Sequence, residues 1–186
     1  GGAMYAQGAD ESSPEDDATG PTKIFLTRST FSENKVTGGG SGGAIVLVGI
    51  EMKMVGVEFE ENEAAGGIGG AVSVYGENSP SYYSSKVLVN NTVWKSNRAQ
   101  AGGALAVTGV TVTFEASGPN TFLQNVASAE CTYDCISHWW QSGFGLANKY
   151  KYHLNGGGAV FVDRWATARF YQSSRFVSNV AGTDDD

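Results

Sequence analysis

Long apolar runs, proline and clustered basic residues are all scarce in this sequence. No stretch approaches the roughly 20 apolar residues that a membrane-spanning helix needs, and no secretion signal is visible. Four prolines are too few for an extended Pro-rich linker, and the 26 glycines follow no Gly-X-Y period, which excludes collagen. The twelve Lys and Arg are scattered and outnumbered by 19 Asp and Glu, for a net charge of −7. Nucleic acid is therefore not an expected partner, and the acidic surplus is read as favouring solubility. At 186 residues the chain is long enough for one continuous core.

What is abundant is a repeat. Gly-Gly-Ala occurs at Gly1–Ala3, Gly42–Ala44, Gly69–Ala71, Gly102–Ala104 and Gly157–Ala159, where the composition alone would supply about 0.4 copies, so a structural cause is required. The last four copies each follow an aromatic-x-x-Asn motif: Phe31 to Asn34, Phe59 to Asn62, Trp94 to Asn97 and Phe122 to Asn125. A further motif, Phe176 to Asn179, follows the last Gly-Gly-Ala. The chain begins inside a repeat without an initiator Met and stops soon after an aromatic motif, and so is read as a segment of a longer polypeptide.

Aligned on Gly-Gly-Ala, the following residues alternate with period two. Ile45, Val72, Leu105 and Val160 fall on one face with Leu47, Val74, Val107 and Val162, while Val46, Ser73, Ala106 and Phe161 fall on the other. The first set is expected in a core and the second on a surface. A second strand precedes each aromatic, as in Lys23–Thr27, and a third carries the aromatic itself. Strands that return once per repeat stack most economically in parallel. The expected fold is all-β: a right-handed parallel β-helix of three short strands per coil and about five coils, spanning 1–186 as a single segment.

In such a stack equivalent side chains form files about 4.8 Å apart. Phe31, Phe59, Trp94, Phe122 and Phe176 should make an aromatic file. Asn34, Asn62, Asn97, Asn125 and Asn179 should make an amide ladder at a bend, where Asn tolerates left-handed backbone. Gly43, Gly70, Gly103 and Gly158 should serve corners that need positive φ or room for adjacent backbone. A phosphate cradle is disfavoured because no helix pattern follows the glycines.

This paired motif resembles the polymorphic outer-membrane protein repeat of chlamydiae, Gly-Gly-Ala with an aliphatic next plus Phe-x-x-Asn. The resemblance covers nearly the whole chain and implies an extracellular β-helix, often an adhesin or structural surface protein. It implies no catalytic residues, and the family's outer-membrane barrel has no counterpart here. Trp94 replaces the Phe of the pattern, and the gap from Asn125 to Gly157 is longer than the pattern allows.

Two insertions interrupt the repeat. Residues 10–21 are acidic, lack large apolar side chains and carry no calcium-loop register, which favours a solvated loop. Residues 126–155 hold both cysteines, both histidines and many aromatics, and long loops of this kind often carry function. Cys131 and Cys135 favour a local disulfide; free thiols, or zinc held with His138 and His153, are the alternatives. Trp139, Trp140 and Phe144 are candidates for contacting a sugar or a protein partner, with packing over the solenoid flank as the plainer reading. Asn90-Asn91-Thr92 is a glycosylation sequon at Asn90.

The expected function is that of an extracellular structural or adhesive module of a large cell-surface or filament-forming protein. Its partners would be other copies of itself, other segments of a surface assembly, or cell-surface glycans, with no nucleic acid, membrane contact, metal or cofactor. Small and apolar residues on the outward side of the Gly-Gly-Ala strands (Ala44, Val46, Ala71, Ser73, Ala104, Ala106) suit close protein packing. The alternative is a β-helix carbohydrate-active enzyme, which would need carboxylates converging from neighbouring coils. Glu58, Glu60 and Glu61 belong to one coil and face Ser, Lys or Gln elsewhere, so no acid cluster emerges and no enzyme is expected.

Overall fold

A computed structural model describes residues 2–7, 23–76, 86–128, 130–131, 154–155, 157–162, 166–171 and 173–182. The described residues contain strands and turns but no helix, and the strands stack in parallel into four five-stranded sheets. The chain is thus an all-β parallel solenoid of five coils, each coil contributing one strand to each sheet.

Sheet 1 stacks Met4–Gln7, Ile45–Val48, Val72–Tyr75, Leu105–Thr108 and Val160–Val162. Sheet 2 stacks Lys23–Thr27, Glu51–Val55, Lys86–Asn90, Thr111–Phe114 and Thr167–Phe170. Sheet 3 carries the aromatics on Thr30–Ser32, Glu58–Glu60, Val93–Lys95, Asn120–Leu123 and Ser174–Val177. Three strands per coil were expected, and the fourth sheet is the difference. It is built from Lys35–Val36, Glu63–Ile68, Arg98–Ala101, Val126–Ala127 and Val180–Ala181, immediately after each ladder Asn. Three of these strands are only two residues long, too short to show any periodicity.

The core is the inside of this tube. Ile45, Leu47, Val72, Val74, Leu105 and Val107 of sheet 1 meet Met52, Met54, Val87, Val89, Val112 and Phe114 of sheet 2, with Phe59, Trp94 and Phe122 of sheet 3. Fully burying each of these large apolar side chains contributes about 1.5–3 kcal/mol, which offsets the ordering of short strands that have little stability singly.

The outward side of sheet 1 departs from the alternation argument. Val46, Val48, Tyr75, Ala106 and Phe161 are buried with Ile68 and Ala101 in a second apolar cluster, and Ser73 is completely buried, its hydroxyl donating to the Ile68 carbonyl at 2.7 Å. Ala44, Ala71 and Ala104, expected on that outward side, are instead buried in the main core. The small-residue face proposed as a docking surface is therefore occupied within the chain itself. Period two separates the faces of a strand correctly, but a second core on the outer face leaves neither face to solvent.

The second insertion starts later than residue 126. Val126–Ala127 pairs with Arg98–Ala99 as part of the coil, and the Ser128 amide still donates to the Ala99 carbonyl at 2.9 Å. Beyond it, Glu130–Cys131 pairs antiparallel with Leu154–Asn155, tying the loop at its base.

Candidate functional site

The predicted files form. Ring centroids are separated by 5.3 Å for Phe31–Phe59, 4.4 Å for Phe59–Trp94, 5.5 Å for Trp94–Phe122 and 4.7 Å for Phe122–Phe176, with interplanar angles of 17° or less. A second stack, Phe114 on Phe170 at 4.4 Å, meets Phe122 edge-on. Sequence reasoning missed it because the equivalent positions in other coils are aliphatic: Leu26, Met54 and Val89.

The five ladder asparagines are chained by side-chain amides. Nδ2 of Asn34, Asn62, Asn97 and Asn125 donates to Oδ1 of the next Asn at 2.9, 2.9, 2.9 and 2.8 Å. The backbone N–H of each donates to the same oxygen. The second Nδ2 hydrogen of Asn62, Asn97, Asn125 and Asn179 goes to the carbonyl of Phe31, Phe59, Trp94 and Phe122, respectively. Each inner rung thereby fills its amide with two donated and two accepted bonds, which permits Asn62, Asn97 and Asn125 to be wholly buried.

Left-handed backbone falls one residue earlier than expected. It is Glu33, Glu61, Ser96, Gln124 and Ser178, each just before the Asn, that have φ between 52° and 56°. A non-Gly residue there costs roughly 1–2 kcal/mol, offset by the bonds the ladder gains. The two glycines of each corner divide their work. Gly69 holds φ at 66°, whereas a Cβ on Gly70 would collide with the Gly103 carbonyl and lie 2.6 Å from the Arg98 nitrogen. Gly43 and Gly103 meet the next coil's backbone in the same way, and Gly158 meets the backbone of Val180 in its own coil.

Among the described residues, charged side chains lie on the outside of sheets 2, 3 and 4 and in the turns between them. Lys35 pairs with Glu63 at 2.6 Å and Lys95 with Glu60. The hydrogen bond and charge of Glu60 hold the Lys95 ammonium above its ordinary pKa of 10.5 against the opposing effect of burial, with lesser help from the charges of Glu61 and Glu58. Among the described residues no three His, Cys, Asp or Glu side chains converge on a metal position.

Two open surfaces stand out among the described residues. On sheet 2, Lys86, Leu88, Thr113, Glu115, Ala116, Arg169 and Tyr171 line a shallow groove of about 340 Å³. At the last coil, Phe170, Phe176, Val160 and Val162 bound a depression of about 440 Å³ with Gly157, Ala159, Ser178 and Asn179. Asn90 sits on the outer face of sheet 2 in register with Val55; its Nδ2 donates to Ser117 Oγ at 2.7 Å and its Oδ1 is buried without a partner. The backbone of Cys131 lies in the loop-base pair. Cys135, Trp139, Trp140, Phe144, His138, His153 and the acidic stretch 10–21 lie outside the described residues.

The fold defines the chain as a parallel β-solenoid with a laddered core. No family model, curated protein or solved structure matches it.

Proposed function

We propose that this chain is an extracellular structural or adhesive module of a large cell-surface or filament-forming protein, acting through protein contacts and at most accessory glycan contacts. The observation carrying this reading is the stack itself: a regular tube whose buried ladder asparagines bond one another, with an apolar core inside and ion pairs on its outer faces. A right-handed winding follows from the strong preference of parallel crossovers, and with the paired motif it supports kinship with the chlamydial surface repeat. A disulfide between Cys131 and Cys135, a glycan on Asn90, and partner contacts through Trp139, Trp140 and Phe144 belong to the same reading.

The sheet 2 groove supports accessory binding of acidic sugars, since Lys86, Arg169 and the exposed Tyr171 are all in its lining. Its lining includes one carboxylate, Glu115, where glycoside hydrolysis by paired carboxylates needs two. A binding role thus fits better than the alternative, a β-helix polysaccharide lyase, hydrolase or epimerase. The test is to incubate the purified chain with uronic-acid polymers while measuring its binding to itself and to a glycan array. Saturable binding with no new sugar ends supports the module; release of unsaturated or reducing ends overturns it in favour of the enzyme.

A further inference from the structure

Two outward files of sheet 2 run side by side along the flank of the tube. Lys23, Glu51, Lys86, Thr111 and Thr167 form one, and Phe25, Lys53, Leu88, Thr113 and Arg169 form the other. Taken together they place one cation in each of four coils: Lys23, Lys53, Lys86 and Arg169. The fourth coil alone substitutes hydroxyls, those of Thr111 and Thr113. Successive coils lie about 4.8 Å apart, so the positive charges form a line parallel to the axis of the tube. In a chain of net charge −7, four of the twelve Lys and Arg stand on this one face.

The carboxylates nearby leave the line positive. Glu51 is taken by Lys23 at 3.8 Å. Glu115 stands to one side, at the turn into sheet 3, where its backbone carbonyl accepts from Asn120 and Ser173. Lys53, Lys86 and Arg169 have no ion pair among the described residues. Sheet 3 differs, because its outward Lys95 is paired with Glu60 and neighboured by Glu58. The sheet 2 groove of about 340 Å³ follows the cation line from Lys86 to Arg169, and Leu88, Thr113 and Tyr171 give it apolar surface and a hydroxyl between the charges.

We propose that a uronic-acid polysaccharide lies along this flank, parallel to the axis of the tube, its carboxylates meeting Lys53, Lys86 and Arg169. A uronan carries one carboxylate on every ring, and a pyranose ring spans about one coil spacing, so a regular line of cations and a regular line of anions stay in step. The ring over the fourth coil meets the Thr113 hydroxyl instead of a cation. Ring faces lie against Leu88 and Tyr171, whose side chains offer apolar area with a polar tip on the tyrosine. A single-stranded nucleic acid is less suited, since it needs a series of aromatic platforms for its bases and the groove holds one aromatic, Tyr171. This deepens the accessory-glycan part of the reading above and rests on it.

The experiment is isothermal titration calorimetry of the 186-residue chain with galacturonate oligomers of rising length, at low and at physiological salt. Affinity should climb with length until the oligomer covers the four coils from Lys53 to Arg169, then level off, and it should fall as salt is added. Lys86→Gln and Arg169→Gln should each weaken binding of the four-sugar oligomer about threefold, and together about tenfold. Arg175→Gln, on the outward side of sheet 3, should leave binding unchanged. All three side chains are exposed, so the variants should fold, which circular dichroism checks. No binding, an affinity indifferent to length, equal binding of neutral glucan oligomers, tighter binding of single-stranded DNA, or an Arg175→Gln loss matching the groove variants would overturn the flank site. Each of these leaves the protein-contact module standing, whereas new sugar ends in the titrated samples would remove that reading itself.

Discussion

Asn97 is bound to Asn125 twice: its backbone N–H and its side-chain Nδ2 donate to the same Oδ1, at 3.0 and 2.9 Å. Asn97 in turn receives the same pair from Asn62 and donates to the Phe59 carbonyl. Replacing Asn97 with Ala would strand the buried backbone N–H and side-chain amide of Asn62. Each orphaned group costs about 1–3 kcal/mol, so Asn97→Ala should lose about 3–5 kcal/mol in urea unfolding. Asn34→Ala, at the end of the ladder, should lose about 1 kcal/mol. Equal losses at the two positions would refute a directional, buried ladder.

The two kinds of glycine should separate under the same substitution. Gly109 has φ of 68°, and a Cβ there would make only ordinary van der Waals contact with Gly76 backbone at 3.7 Å, so Gly109→Ala should cost only the left-handed penalty of about 1–2 kcal/mol. At Gly70 the added methyl meets backbone of the next coil, and relief requires the coils to part. Gly70→Ala should cost more than about 3 kcal/mol or prevent folding, as read by thermal and urea melts.

Trp94 fills the aromatic file, but its Nε1–H is buried with no acceptor. Trp94→Phe removes an orphan donor worth about 1–3 kcal/mol and leaves a space whose cost, at about 24 cal/mol per Å³, is near 1 kcal/mol. The variant should be as stable as wild type or more so. A loss above about 2 kcal/mol would mean that the indole N–H is satisfied in solution.

Much of this architecture is legible in the chain, for a physical reason. Ile45, Val72, Leu105 and Val160 repeat because they share one file, and the ladder Asn recurs because no other side chain both donates and accepts along the stack as it does. Three features are not legible. The residues at positive φ, Glu33, Glu61, Ser96, Gln124 and Ser178, share no chemistry, because the backbone there is imposed by the Asn that follows. The second core around Val46 and Phe161 looks like a surface because alternation reports sides of a strand and not what covers them. Asn90 reads as a sequon, but the sequence does not show that its Nδ2 donates to Ser117, which leaves one Nδ2 hydrogen for a glycan to replace.

Lys95 makes stability depend on alkaline pH. Its pKa is raised in the folded chain, chiefly by the hydrogen bond and charge of Glu60, so the folded state holds the proton more tightly than the unfolded one. The contribution is complete below the ordinary lysine value of 10.5 and fades as pH rises through the higher folded value. Thermal melts should therefore show a loss in that window that Lys95→Met abolishes. An unchanged alkaline profile in the variant would assign the loss to other groups.

The central claim, a continuous directional ladder, is tested most directly by side-chain amide hydrogen exchange followed by NMR. Asn62, Asn97 and Asn125, buried and bonded through both amide hydrogens, should exchange slowly. Uniformly fast exchange at these asparagines would contradict the ladder.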